Sequence, residues 1–273
     1  MIRRRPKIRL TEEERQMMRN ACRFNAQLMD VVRSHVVAGV KTSAIDKIVL
    51  EYTRDHGHTP ACLGYPGESR PFPKSCCISV NDVICHGIPG RYELRPGDIV
   101  NVDLTTIVDQ WHGDQSETFL IGDADQIHQE ARDVTQCAFD SLYLAIDAIY
   151  PECTVSVIGE TIVDYVSEKY GFGIVDKYVG HGIGVKFHQR PNIPHVPTRQ
   201  SRQERLYPGM CFTIEPMINA GTARSVSDPK DGWTVRTFDR KVSAQFEHTI
   251  LMTEDGPEVM TLTQNGPQRG HQF

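Results

Sequence analysis

The stretch NVDLTTIVDQWHGD, residues 101 to 114, limits the possible folds more than any other part of the chain. Val100, Val102 and Leu104 alternate with Asn101, Asp103 and Thr105, which is the period of a half-buried strand. A reversal around Val108 and Asp109 predicts a returning strand that sets Asp114 directly opposite Asp103. Directly opposed side chains have Cβ atoms ~5 Å apart, and like charges placed there repel. The chain therefore has to fold around something that offsets two facing carboxylates.

A second region repeats the anomaly. Glu215 in MCFTIEPM and Glu247 in SAQFEHTIL stand in strand-like segments of alternating apolar residues. One acid in a strand is ordinarily an edge residue in water or an ion-pair partner. Four such acids are not explained that way, because a buried unpaired carboxylate costs several kcal/mol or takes up a proton. Cations remove both the repulsion and the desolvation penalty. Two of them ~3.5–4 Å apart match the spacing that paired strands give their carboxylates.

Helices and strands alternate around these segments. Thr11 with Glu14 predicts a capping box, and Met17, Ala21, Phe24, Leu28 and Val32 mark one helical face. A second helix is expected from Ser43 to about His56, stopped by Gly57. Strand-like CCISV, DVICH, DIVNVDLTTIV and ETFLIG follow. The order then recurs. A long helix is expected from about Asp123, and a shorter one carries Ile158, Ile162 and Val166 up to Gly171. GIVDKYVG, MCFTIEPMI, TVRTF and AQFEHTILM are the strands of this second unit. The repeat predicts an α+β fold of two pseudo-twofold helix–helix–strands halves around an antiparallel sheet.

Composition excludes several function classes. A formal net charge of -5 over 273 residues gives no basis for general nucleic-acid binding, although MIRRRPKIRL at the start is strongly basic. TEEERQ follows that start in place of an apolar segment, and no apolar run approaches the ~20 residues of a membrane span. Eight cysteines without a C-x-x-C pair predict free thiols in a reducing cytoplasm. H-E-x-x-H, G-x-S-x-G and G-x-G-x-x-G are missing, which disfavours a mononuclear zincin, a serine hydrolase and a dinucleotide site. His86 in CHGIP and His181 and His188 in GHGIGVKFH remain as chemistry-bearing histidines, with glycines that let backbone approach whatever His181 faces. His112, His128, His195 and His271 read as ordinary core or surface groups.

In order along the chain, CHGIP, NVDLTTIVDQWHGD, GHGIGVKFH, FTIEPMINAG and DGWTVRTFDRKVSAQFEHT resemble the type I methionine aminopeptidases in their short bacterial form. These are the pita-bread metallopeptidases, and the resemblance runs from about Thr11 to Thr263. It implies that Asp103, Asp114, His181, Glu215 and Glu247 hold two divalent metal cations, Co, Mn, Fe or Zn. Asp114 and Glu247 would bridge the pair, Asp103 would hold one, and His181 and Glu215 the other. Glu215, His86 and His188 are the implied catalytic residues, the two histidines also contacting substrate. The implied pocket for the methionine side chain is Cys62, Tyr65, Phe72, Cys77, Phe187 and Trp233. Phe72 replaces a commoner tyrosine, the loop GESRPFP is longer than in compact members, and Gln189-Arg190 departs from a usual acidic pair.

The activity so implied is removal of the initiator methionine from nascent proteins whose second residue is small, by metal-activated hydroxide attack on the scissile carbonyl. A Xaa-Pro aminopeptidase on the same fold is the enzymatic alternative, and a non-catalytic pita-bread binding module is the other. The expected organisation is a basic tail at 1–10, one catalytic domain at 11–263 and a C-terminal tail at 264–273. A cytoplasmic monomer is expected, acting on the N-terminal methionine of nascent polypeptides, with a ribosome contact through the basic start and no membrane.

Overall fold

A computed structural model of the chain describes residues 8–273. Arg3, Arg4, Arg5 and Lys7 of the basic start lie outside the described residues. Helix α1 (Glu12–Arg33) begins at Thr11, whose hydroxyl accepts the Glu14 N–H at 3.3 Å while the Glu14 carboxylate accepts the Thr11 N–H at 2.7 Å. The reciprocal cap satisfies two of the amides that a helix start leaves unpaired. Met18, Cys22, Asn25, Leu28, Met29 and Val32 form the buried face, whereas Met17, expected on it, is 43% exposed. A stripe centred on Met18 and Cys22 leaves the preceding residue ~100° around the helix, toward solvent.

Helix α2 (Thr42–Asp55) follows, then β1 (Thr59–Pro60), β2 (Cys77–Val80) and β3 (Val83–Cys85). The long hairpin of β4 (Ile99–Val108) and β5 (Trp111–Leu120) closes the first half. The second half repeats the order with α3 (Gln129–Ala148) and α4 (Ser156–Lys169). Its strands are β6 (Gly173–Ile174), β7 (Gly180–Gly182), β8 (Gln189–Ile193), β9 (Cys211–Ile214) and β10 (Met217–Asn219). They continue with β11 (Ser225–Ser227), β12 (Val235–Thr237), β13 (Ser243–Gln245), β14 (Glu247–Met252) and β15 (Pro257–Val259). Asp123 does not start α3. It caps a single 3-10 turn, Ala124–Gln126, and extended Ile127 separates that turn from the helix. Helix growth begins only where Ala131, Val134 and Ala138 supply a face that packs.

Nine strands form one antiparallel sheet in the order β1-β4-β5-β14-β9-β7-β8, with β2 on β4 and β15 on β14. Strand β14 joins the halves, pairing β5 of the first and β9 of the second. In the hairpin Thr105 faces Asp114, and Asp103 faces Ser116. The expected Asp103–Asp114 pairing is thus off by two positions, because Asp109 and Gln110 make the turn, both left-handed at φ 48° and 74°. A two-residue shift preserves the face, so the carboxylates still point the same way as diagonal neighbours.

Two segments read as unbroken strands are split at their acids. Strand β9 ends before Glu215 and β10 starts after Pro216, which has no N–H to give a ladder. Strand β13 ends at Gln245, and Glu247 opens β14. At both places the chain changes sheet, since β13, β10 and β6 form a separate three-stranded sheet. Glu215 and Glu247 stand at these crossings. GIVDKYVG is also broken: residues 175–179 leave the sheet between β6 and β7, with Asp176 and Lys177 exposed.

Each half has its own apolar core. Leu28 and Ile45 pack against Val100, Val102 and Leu104 in the first, and Phe139 and Ile158 pack with Phe212 and Ile250 in the second. Burying each such side chain contributes ~1.5–3 kcal/mol. Both ends assigned to tails pack on the domain in part, Leu10 in a third cluster with Met18, Cys22 and Leu251 and Phe273 against the second core. Leu10 is buried and its N–H donates to Gly209 O at 2.8 Å. The Phe273 ring lies 5.4 Å from Phe139 and 5.5 Å from Phe246. Among the described residues no helix is long and apolar enough to cross a membrane.

The hairpin turn yields a test. A left-handed conformation costs an L-residue ~1–2 kcal/mol, and glycine avoids that cost. Gln110→Gly is expected to raise the unfolding free energy by about 1 kcal/mol in a urea titration. A decrease would argue against the turn geometry.

Candidate metal centre

Strand register assembles the acids in two rows. In the first, Ser116 pairs with Asp103 on one side and Glu247 on the other, and Cys77 pairs with Asp103 beyond. In the second, Asp114 faces Thr105 and Thr249 faces Thr213. The threonines lock that row. Thr105 Oγ1 donates to Asp114 Oδ1 at 2.7 Å, and Thr249 Oγ1 donates to the Asp114 carbonyl at 2.7 Å. Thr213 Oγ1 accepts the His181 N–H at 3.0 Å and donates to Glu215 Oε1 at 2.8 Å. His181 Nε2 then lies 3.6 Å from Asp114 Oδ2 and 3.7 Å from Glu215 Oε1. Asp114, His181 and Glu247 each offer a ligand atom within 4.8 Å of the others.

Other buried acids in the protein have close partners: Glu117 meets Arg33 at 2.7 Å, Asp46 meets Lys74 at 3.2 Å, and Asp98 accepts from Asn81 Nδ2 at 2.8 Å and from the Arg95 N–H at 2.8 Å. No described lysine or arginine pairs with Asp103, Asp114, Glu215 or Glu247; His181 is their one basic neighbour. Burial pushes Asp103 up to about 7 and Glu215 up to about 8. Asp114 and Glu247 rise well above the carboxylate range, through burial first and then the charges of Asp103 and Asp114 respectively. Burial, with the neighbouring His188, takes His181 down to about 3, so its imidazole is neutral. Four desolvated carboxyl groups and one neutral imidazole are a donor set that suits Mn, Fe, Co or Zn. The residues fit a divalent centre.

Sequence reasoning missed the groups that orient this set. His195, read as an ordinary core group, is fully buried and accepts the Glu215 N–H on Nε2 at 3.1 Å. Gln245 Nε2 donates to Glu215 Oε2 at 3.3 Å. His112 is stacked on Phe187 with ring centres 5.6 Å apart. The available signal was threonine two residues from an acid, which strand periodicity puts on the same face.

Every side chain expected at the site lines one cavity of about 320 Å³. Cys62, Phe72 and Cys77 are buried at its apolar end, against Tyr65, Phe187 and Trp233. Phe72 meets Trp233 edge-on at 5.2 Å, and Trp233 Nε1 donates to Arg70 O at 3.1 Å, which ties the long 64–75 loop to the rim. Tyr65 OH and His188 Nδ1 are 2.7 Å apart. His86 is left-handed at φ 56°, and a Cβ on the next residue, Gly87, would lie 2.1 Å from Ile78 O. Strain of this kind is kept where neighbours dictate it, commonly at active sites. Arg190 points elsewhere, 3.3 Å from Glu204.

Residues 16–254 match the model of metallopeptidase family M24. The methionine aminopeptidase of Escherichia coli K12 is 44% identical over 254 residues, 92% of each chain. This chain belongs to family M24, among the methionine aminopeptidases. The family's pita-bread fold is evident in a solved methionine aminopeptidase from Rickettsia prowazekii, with TM-score 0.87 and 38% identity over 93% of this chain and 99% of that one. An X-Pro aminopeptidase from Thermotoga maritima, 18% identical with TM-score 0.72, shares the fold over 95% of this chain but only 63% of its own. The protein is thus a metallopeptidase, and its family requires divalent metal.

A pH-dependent metal effect follows. Above pH ~7.5 histidines are largely neutral both folded and unfolded, so the site carboxyls set the slope there. Their raised folded values mean that the native protein holds protons the unfolded chain has released. Their stabilisation is full below ~4 and is lost as pH climbs through about 7 and about 8. The melting temperature of chelator-treated protein is expected to fall from pH ~7.5 to ~8.5, and the increase on adding Mn²⁺ to be larger at the higher pH. Equal increments at both would contradict a carboxylate-built centre.

Proposed function

We propose that the protein removes the initiator methionine from nascent chains whose second residue is small, with two divalent cations held by Asp103, Asp114, His181, Glu215 and Glu247. The observation that carries this reading is the continuity of an apolar pocket with a floor of carboxylates that no described lysine or arginine neutralises. The pocket suits an unbranched thioether, which makes favourable contacts with the rings of Phe72, Phe187 and Trp233. When bound, the cations lower the pKa of water and polarise the scissile carbonyl.

The chain's own residues supply the rest. Glu215, already raised by burial, accepts the proton from the attacking water and passes it toward the leaving amine. His86 holds the scissile amide, and its strained backbone fixes the ring at the rim. His188, kept in place by Tyr65, steadies the oxyanion. The side chain of the substrate's second residue meets the crowded rim between these histidines, which is why it must be small. The protein is proposed to act as a monomer, with all five expected metal ligands carried by one chain. Eight unpaired cysteines, all buried, favour the cytoplasm as its compartment.

Asp114→Asn and Glu247→Gln are each expected to lower release of methionine from a Met-Gly peptide by several orders of magnitude in metal-replete buffer, because a neutral amide bridges cations poorly. Circular dichroism is expected to stay native. Near-normal turnover would refute the assignment, and preferential cleavage of Xaa-Pro peptides would favour the enzymatic alternative.

The basic start is proposed to contact ribosomal phosphates. Arg9 and Leu10 already pack on the domain, with the Arg9 guanidinium 4.0 Å from the Tyr207 ring centre. Deleting only residues 2–7 should therefore weaken ribosome co-sedimentation at low salt and leave peptide turnover unchanged. Unaltered co-sedimentation would reject the contact.

A further inference from the structure

We propose that Lys177 selects substrates with an acidic side chain soon after the scissile bond, at the third or fourth residue. The inference rests on the aminopeptidase reading and adds a specificity beyond the small second residue. The cavity has an apolar end at Cys62, Phe72 and Cys77, a floor of carboxylates, and a remaining wall of Lys177, Tyr178 and Val179. With methionine in the apolar end and its carbonyl above the floor, the peptide leaves along that wall. His86 marks the route, its ring edge-on to Tyr178 at 5.4 Å. An extended peptide advances ~3.3 Å per residue, which brings residues three and four within reach of an ammonium on a four-carbon stem.

Lys177 is the one lysine or arginine among the residues lining the cavity. It is exposed, and it forms no ion pair with any described carboxylate; its ammonium lies 5.5 Å from the centre of the Tyr178 ring. Other basic side chains are engaged by acids: Lys74 with Asp46, Arg190 of β8 with Glu204, and Arg236 of β12 with Asp82. Were Lys177 present to neutralise the floor, it would pair with one of the four acids. The segment carrying it is also anchored at both ends. Val175 N–H donates to Met217 O at 3.1 Å, and Gly180 begins β7. An unpaired cation carried by this anchored segment on the exit wall is a receptor for a carboxylate arriving on the peptide.

The test compares Met-Ala-Glu-Ser and Met-Ala-Lys-Ser amides on the metal-loaded full chain and its Lys177→Gln and Lys177→Glu variants. Ratios of kcat/KM within each protein cancel any general change in activity. The wild type is expected to favour the glutamate peptide by about fivefold at low ionic strength, the size of an exposed charge pair acting against a like-charge contact. The preference should shrink in about 0.5 M salt. Lys177→Gln should abolish it, and Lys177→Glu should invert it. Equal rates for both peptides in the wild type, or an unchanged ratio in Lys177→Glu, would overturn the role of Lys177 while methionine release still stood. No methionine release from either peptide would instead sink the aminopeptidase reading, and this inference with it.

Discussion

Four desolvated carboxyl groups facing one another, with no described lysine or arginine to pair them, are the constraint on which the rest of this structure depends. Elsewhere the protein gives a buried acid a base or several neutral donors, as at Glu117 with Arg33 and at Asp98 with Asn81, Tyr92 and the Arg95 N–H. At Asp103, Asp114, Glu215 and Glu247 no such lysine or arginine is present among the described residues. Burial raises all four toward protonation and repulsion adds to it at Asp114, Glu215 and Glu247, a penalty that divalent cations remove. Stability and metal binding are therefore linked at one set of side chains.

The sheet meets this constraint through register. Antiparallel pairing places Asp103, Ser116 and Glu247 side by side across three strands, and a row of threonines beside them restrains Asp114, His181 and Glu215. A hydroxyl suits that role because it donates to a carboxylate without adding charge. Close approach elsewhere supports the same rows. A Cβ on Gly113 would lie 2.4 Å from Ala21 O, so α1 can press on the hairpin only because position 113 has no side chain. Glu215 and Glu247 take their positions from the places where the chain leaves one sheet for another.

The same arrangement separates the apolar end of the cavity from its acidic floor. Cys77 lies in the row of Asp103, so the pocket wall and the first acid belong to adjacent strands. Aromatic rings from the 64–75 loop and from the segments at Phe187 and Trp233 complete the wall. Recognition and chemistry thus share a rigid sheet, while rim loops adjust the entrance.

Much of this was legible in the order of residues. Strand alternation around Asp103, the capping box at Thr11 and the histidine-bearing glycine segment are local patterns, and each needs only neighbouring residues to be read. The hairpin register was misread by two positions because the sequence around 108–111 has no glycine to mark a left-handed turn. Met17 was misplaced because neighbouring methionines at 17 and 18 fit a helical stripe almost equally well, and only contact with the sheet decides between them.

By itself the sequence determined the types of element, the four unusual acids, and the family they belong to. The tertiary structure decided which strand lies beside which, and so the threonine row, the His195 bond to the Glu215 backbone and the unpaired position of Lys177. The physical reason is range. Periodicity and capping act over a few residues, whereas the contact of His181 with Asp114 joins positions 67 residues apart and is set only when the two halves meet across β14.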